Sequence, residues 1–209
     1  FYATKNLTCG EGGALVTNDK DMAERLRLLR MHGMTKTAAD REREGYQHWD
    51  MVIMGWKYNM DNIQAAMLVP QFNRIMDNLE RRHTIANNYE SLLRDADGIR
   101  MFSSRKNITH ARHLFPVMIN RADRDSVIQA LKLQGIGTTV NYRPIHLTSY
   151  FKKRYGFNQG SFPEAERIGT QVISLPFYPQ IPMAHIRSVA DALIQLSKFP
   201  SNESVYGDY

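Results

Sequence analysis

Phe1-Tyr2-Ala3-Thr4-Lys5-Asn6-Leu7-Thr8-Cys9-Gly10-Glu11-Gly12-Gly13, followed by the apolar run Ala14-Leu15-Val16, sets one lysine just ahead of a glycine-rich turn. A lysine amine can form a Schiff base with an aldehyde and then shuttle a proton, provided burial or nearby charge makes its neutral form accessible. Glycines beside it let the backbone approach a bulky planar group and adopt dihedral angles closed to other residues. Read by themselves, Gly10, Gly12 and Gly13 indicate only a turn between two strands. Most lysines, moreover, are solvated surface charges. Spacing alone therefore leaves two readings open, a cofactor lysine and an ordinary turn.

Outward from this stretch, Ala14 to Thr17 reads as a strand, and Asn18 or Asp19 then caps a helix that runs to about Met31 and stops at Gly33. Residues 34–50 are polar and read as a loop or short helix. Asp61 opens a long helical region to about Arg94, in which Pro70 predicts a kink or two abutting helices. Ile75, Leu79, Ile85 and Leu92 are its candidate buried side. From about residue 96, α and β signals alternate. Leu114 to Ile119 reads as a strand whose Pro116 favours an edge position. Asp123 to Gln134 is an amphipathic helix ended by Gly135, Ile136 to Tyr142 a strand, and Phe162 to Ile173 a helix. The last helix, about Met183 to Lys198, aligns Ile186, Val189, Leu193 and Leu196 on one face. The expected division is 1–75, then 76–199 with the linking helix and a smaller unit, then a tail over 200–209.

Composition narrows the class. The chain has 209 residues, 43% of them hydrophobic, enough for one good core or for one and a half domains of a larger protein. No apolar run approaches the roughly 20 residues that span a bilayer. A lone Cys9 forbids an internal disulfide and suits a reducing cytoplasm. Asn6, Asn107 and Asn202 match the glycosylation triplet, which without a secretory context carries little weight. The net charge of +6 invites a nucleic-acid reading, yet the basic residues are scattered, with short clusters only at Arg81-Arg82 and Lys152-Lys153-Arg154. Small anions such as a diphosphate account for such a surface equally well.

Four further segments follow in order. They are Arg25-Leu-Arg-Leu-Leu-Arg30-Met-His32-Gly33, Gly55-Trp-Lys57-Tyr-Asn59-Met-Asp-Asn-Ile-Gln-Ala-Ala66, Gly135-Ile-Gly-Thr-Thr-Val-Asn141-Tyr142-Arg-Pro-Ile-His146-Leu147 and Ser174-Leu-Pro176-Phe-Tyr-Pro179. Together with the Lys5 segment, and over nearly the whole chain to about Lys198, they resemble the DegT/StrS family of nucleotide-sugar aminotransferases, which use pyridoxal phosphate (PLP). The resemblance implies an α/β fold, that of the fold-type I PLP-dependent transferases. The chain would then supply the end of the large domain and the small C-terminal domain. It also implies a homodimer whose active sites borrow residues across subunits, and no metal, nucleic acid or membrane as partner. Family members carry an N-terminal half ahead of the lysine, with the aspartate for the pyridine nitrogen, the aromatic that stacks on the ring and phosphate-binding hydroxyls. On that basis the chain is expected to open inside a domain and not to hold PLP productively alone.

Carried over residue by residue, the resemblance makes Lys5 the cofactor lysine and proton shuttle. Lys57 and Asn59 fall in the segment that reaches the partner's PLP phosphate. The commoner family pattern there is Asn-Tyr-Arg, so Lys57-Tyr58-Asn59 departs from it. A lysine suits a phosphate as a point charge, and the variant is similar to the branch acting on UDP-4-keto-pentose and related 4-keto sugars. Asn141 and Tyr142 stand where the family has His-Tyr facing the sugar. Tyr142 read alone is equally a half-buried strand tyrosine. His146 in the following loop and Arg30 are further substrate-side candidates, and His32 is either a neighbour of the site or a helix-end histidine complementing the dipole.

The activity implied is transfer of an amino group from an amino acid, glutamate foremost, to a keto sugar on a nucleoside diphosphate, in cell-surface or secondary-metabolite glycan synthesis. Two alternatives stay open. One is a PLP-dependent sugar dehydratase of the same family, in which a histidine replaces the lysine. The other is a non-catalytic dimerisation or nucleic-acid-binding fragment. A metal pair at His110 and His113 lacks an evident third ligand, and Cys9 lacks a base to activate it.

Overall fold

The computed structural model describes residues 1–36, 40, 42–43, 45, 48–105 and 107–198. The expected tail over 200–209 and part of the polar stretch 34–50 lie outside them. The chain divides into two compact units, Phe1–Ile75 and the part from Met76 on. None of its described helices is long and apolar enough to cross a membrane.

In the first unit, helix α1 (Lys20–Leu29) begins where the Asp19 carboxylate accepts the Met22 N–H at 3.0 Å, satisfying one of the amides the first turn leaves unpaired. Helix α2 (Asn62–Phe72) begins in the same way, with Asp61 accepting the Gln64 N–H at 2.7 Å. Helix α3 (Ile75–Leu93) follows after Asn73 and Arg74. Pro70 thus produces two abutting helices, because its ring removes a donor and crowds the preceding turn, and α2 ends two residues later. The expected strand Ala14–Thr17 forms no ladder among the described residues, and Val16 is 95% exposed. β propensity alone does not make a strand without a paired neighbour.

The second unit carries the core. An antiparallel sheet is ordered β1 (Ile99–Met101), β2 (Phe115–Ile119), β3 (Val172–Leu175). Helix α4 (Arg124–Leu133) packs on β3 and on helix α7 (Met183–Ser197). Helix α5 (Ser149–Tyr155) follows a short 3-10 turn at Ile145–Leu147, and helix α6 (Pro163–Gln171) packs on β2. Leu93, Val117, Leu131, Ile173, Ile186 and Leu193 are all buried, each contributing about 1.5–3 kcal/mol by leaving water. All four residues expected on the inner face of α7 are buried. On α3 the buried side is Ile85, Ala86, Tyr89 and Leu93 rather than the expected Ile75, Leu79, Ile85 and Leu92. Tyr89 explains the rotation. Its ring stacks on Phe115 at 5.0 Å and its hydroxyl donates to the Pro176 carbonyl at 3.0 Å, so its polar tip is satisfied inside the core.

Three expectations change here. Pro116 lies on the middle strand, not an edge. Its pair with Ser174 is not hydrogen-bonded, since Ser174 exchanges both its backbone bonds with Thr139 (2.7 and 3.3 Å). The missing donor of Pro116 therefore faces the β1 side, and β1 has ended at Met101, opposite Val117. The strand expected over Ile136–Tyr142 reduces to that single bridge at Thr139. The helix expected to run to Ile173 stops at Gln171, because the β-branched pair Val172-Ile173 joins β2 instead. Gly135, at φ +75°, closes α4 as its sequence position predicts, with Ile136 N–H to Leu131 O and its own N–H to Lys132 O.

Candidate active site

Lys5 sits on a tight loop. The Lys5 N–H donates to the Tyr2 carbonyl at 2.9 Å and the Cys9 N–H to the Phe1 carbonyl at 3.0 Å, while Tyr2 and Gly10 form a parallel bridge that closes the loop. The Lys5 side chain is exposed, and Cys9 is buried with its thiol on the Glu11 carbonyl. A residue not anticipated from sequence anchors the loop. Gln71 accepts the Thr8 N–H through Oε1 and donates to the Thr8 carbonyl through Nε2. Gln64, two turns earlier on α2, donates to the Glu11 carbonyl at 3.3 Å. Their seven-residue spacing puts both glutamines on one face of α2. Gly12 sits at φ +145°, a backbone conformation that favours glycine.

Arg30, His32, Lys57 and Asn59 are brought together by backbone pairing. After α1 the chain turns through His32 (φ 57°) and Gly33 (φ 72°), and the segment from Gly55 runs antiparallel beside it. Trp56 N–H bonds to Leu29 O (2.7 Å), His32 N–H to Trp56 O (2.9 Å) and Tyr58 N–H to Arg30 O (2.8 Å), with Met31 opposite Lys57. The two glycines permit this approach. A Cβ on Gly33 would fall 1.8 Å from the Ile53 carbonyl oxygen, and one on Gly55 2.3 Å from the Gly33 nitrogen. Alternation along the extended segment sets Lys57 and Asn59 side by side, and the Lys57 ammonium donates to the Asn59 Oδ1. On the other side Trp56 and Tyr58 stack with their ring planes 4° apart. A cavity of about 1130 Å³ opens here, lined by Gly12, Arg30, Trp56, Tyr58, Asn59 and Gln64 among others; Lys5 and Lys57 are not among its lining residues. Chemically, the unit offers an amine on a fixed loop, and a cation and an amide suited to an anion's oxygens.

Asn141, Tyr142 and His146 belong to the second unit. Tyr142 is 68% exposed, and Asn141 Oδ1 accepts the Thr139 hydroxyl at 3.0 Å. His146, expected in the loop after Tyr142, lies on the 3-10 turn Ile145–Leu147. It is 4% exposed, its Nε2 lies 2.9 Å from Glu166 Oε1, and the Phe162 ring packs against it. His110 Nδ1 accepts the Arg112 N–H at 2.9 Å. Among the described residues no group of three or more His, Cys, Asp or Glu side chains is placed to hold a metal ion. Arg82, read only as part of a surface cluster, donates to the carbonyls of Arg112, His113 and Phe177 and lies over the Phe177 ring; burial lowers its pKa.

Comparison with known proteins gives the class: the similar solved structures are fold-type I sugar aminotransferases. The sequence profile of the DegT/DnrJ/EryC1/StrS aminotransferase family matches residues 1–194, and the chain belongs to that family. Solved structures similar to it include sugar aminotransferases, one of them in a PLP-form. The spore coat polysaccharide biosynthesis protein SpsC of Bacillus subtilis is 34% identical over 204 residues, covering 95% of this chain and 52% of its own. S. venezuelae DesV, solved in complex with a ketimine intermediate, superposes with a TM-score of 0.84 at 32% identity, over 95% of this chain and 50% of its own. The putative sugar aminotransferase Spr1654 of Streptococcus pneumoniae, in its PLP-form, superposes with a TM-score of 0.81 at 25% identity, over 95% and 50%. The chain spans about half the length of the curated relatives it matches.

Proposed function

We propose that this chain is part of a cytoplasmic, homodimeric PLP-dependent aminotransferase that moves an amino group from glutamate to a keto sugar of a nucleoside diphosphate sugar, for glycan synthesis. The observation that carries the reading is the Lys5 loop, bridged between Tyr2 and Gly10 and held by Gln71, in a chain matched to the family over residues 1–194. A lysine at this position also separates the reading from the family's dehydratases. Residues 1–75 correspond on this view to the end of the large domain, and 76–199 to the linking helix and the small domain.

The residues present fit the cofactor. The Lys5 amine matches its aldehyde, and Lys57 with Asn59 matches the oxygens of its phosphate in a partner subunit. Gly12, at φ +145°, lines the cavity beside the lysine loop. When bound, PLP supplies the electron sink that makes transfer at the amino-bearing carbon possible. The protein's contribution is positioning and proton transfer. Lys5 Nζ would hold the cofactor through its aldehyde and, as a free amine, would accept and return a proton as general base. In the first unit Arg30 would attract an anionic substrate group; in the second, Asn141 and Tyr142 would offer a sugar an amide and a hydroxyl.

The test is a visible spectrum of the full-length protein with PLP, before and after glutamate, followed by borohydride reduction and peptide mapping. A band near 400–430 nm (roughly, as PLP bound to lysine absorbs) that bleaches with glutamate, and a reduced adduct mapping to Lys5, are expected. A flat spectrum from folded protein would overturn the proposal.

A further inference from the structure

We infer that Glu166 is a positioning residue for the sugar substrate, acting through His146 and Pro144 on the segment that presents Tyr142. The inference rests on the functional reading above, in which Tyr142 faces the sugar.

The Glu166 carboxylate gathers two separate stretches of chain onto α6. Its Oε1 lies 2.9 Å from His146 Nε2 and accepts the Phe162 N–H at 3.2 Å. Both of its oxygens take the Gly160 N–H at 2.9 Å. The side chains of His146 and Glu166 are only 5% and 13% exposed. The rings of Phe162 and Phe157 approach the imidazole at 4.8 and 6.5 Å, so water does not compete for the contact. The Gly160 N–H first, and His146 next, hold the carboxyl below the usual carboxylate range.

One helical turn further along the same face of α6, Gly169 receives Pro144. A Cβ there would sit 2.4 Å from Pro144 Cδ and 2.5 Å from Cγ, so the proline ring lies directly on the helix backbone. Pro144 and His146 are thereby fixed from one helix, at residues 169 and 166. At the other end, Thr139 is fixed by its two backbone bonds to Ser174. Tyr142 lies between these anchors and is 68% exposed. An aromatic with so little packing of its own, carried on backbone held at both ends, is built to meet a ligand rather than to fill a core. A binding contact loses its effect once the supporting backbone drifts by more than about 0.5 Å. Nothing in sequence spacing joins Glu166 to Tyr142; the link exists only through the fold.

The test uses the full-length protein carrying Glu166→Ala, Glu166→Gln or Gly169→Ala. Three quantities are read: KM for UDP-4-keto-pentose, the rate of the glutamate half-reaction without sugar, and amide hydrogen exchange over residues 143–147. Glu166→Ala and Gly169→Ala are expected to raise KM and the exchange rates about tenfold or more while leaving the glutamate half-reaction within about twofold. Glu166→Gln, which keeps an acceptor oxygen but not the charge, should fall between them and wild type. A folded Glu166→Ala or Gly169→Ala variant with wild-type KM and exchange overturns the inference. So does an equal loss in the glutamate half-reaction, which would signal general damage. Wild-type protein inert towards glutamate defeats the functional reading and this inference together, whereas an active wild type with insensitive variants defeats this inference alone.

Discussion

Gln71 holds the backbone of Thr8 with both ends of its side-chain amide: Oε1 accepts the Thr8 N–H at 3.1 Å, and Nε2 donates to the Thr8 carbonyl oxygen at 2.7 Å. The amide acts as a one-residue strand partner for the loop three residues beyond Lys5. Each such bond contributes a net of about 0.5–1.5 kcal/mol. Gln71→Ala should therefore lower stability by about 1–2 kcal/mol and weaken PLP affinity in the full-length protein by about tenfold, since the lysine loop is no longer fixed. Gln71→Glu, which sets an oxygen against the Thr8 carbonyl, should be at least as harmful. A PLP titration by absorbance, with thermal unfolding beside it, tests both, and wild-type affinity in Gln71→Ala would mean the loop needs no anchor.

Lys5 itself is exposed, so its replacement should leave the fold alone. Surface substitutions of this kind move stability by about 0.5 kcal/mol or less. Lys5→Ala in the full-length protein is expected to abolish the visible cofactor band and the borohydride adduct, with the unfolding midpoint of the cofactor-free protein unchanged. Lys5→Arg should do the same, because a guanidinium stays protonated and cannot act as the amine nucleophile. Retained absorbance in either variant would move the cofactor lysine elsewhere.

The contact between Gly55 and Gly33 predicts a large penalty for one methyl group. A Cβ on Gly55 meets backbone atoms, Gly33 N at 2.3 Å and His32 C at 2.7 Å, and backbone cannot rotate aside as a side chain can. Gly55→Ala should cost about 1–3 kcal/mol or more through overpacking and should part Lys57 and Asn59 from the His32 turn. Gly45, whose added Cβ would meet nothing, is the matched control, although its own φ of +80° makes a small strain cost expected. Comparison of unfolding midpoints and of phosphate or PLP affinity reads the difference.

Asp123 caps α4, its carboxylate accepting the Ser126 N–H at 2.8 Å, and that backbone bond is the first cause of its lowered pKa. Because the folded pKa lies below the unfolded value of about 3.9, the stabilisation is fully present above that pH and fades as the pH falls through the folded pKa. Asp123→Ala should thus cost about 1 kcal/mol at pH 7, with the gap to wild type narrowing below about pH 4 as the wild-type carboxylate is protonated. Asp123→Asn, which keeps the accepting oxygen, should lose little. Urea unfolding at pH 7 and pH 3 distinguishes these, and a pH-independent gap for Asp123→Ala would show that charge plays no part in the cap.

Helix starts at Asp19, Asp61 and Asp123, and the stop at Gly135, were legible from the sequence because capping and left-handed turns are decided within four or five residues; α1 ends at Leu29, short of the Met31 expected before Gly33. The inner face of α7 was legible for the same reason: its period repeats along one continuous element. The family was legible in the ordered segments around Lys5, His32, Tyr58 and Tyr142, and the profile match over residues 1–194 agrees. What sequence could not decide depended on partners distant along the chain. The strand character of Val172-Ile173 required β2, and the tolerance for Pro116 required β1 to end opposite Val117. The grip of Gln71 on Thr8 spans 63 residues, and that of Glu166 on His146 spans 20. Single polar contacts of this kind leave no periodic trace, because they follow from where packing sets two elements rather than from any preference of the residues themselves.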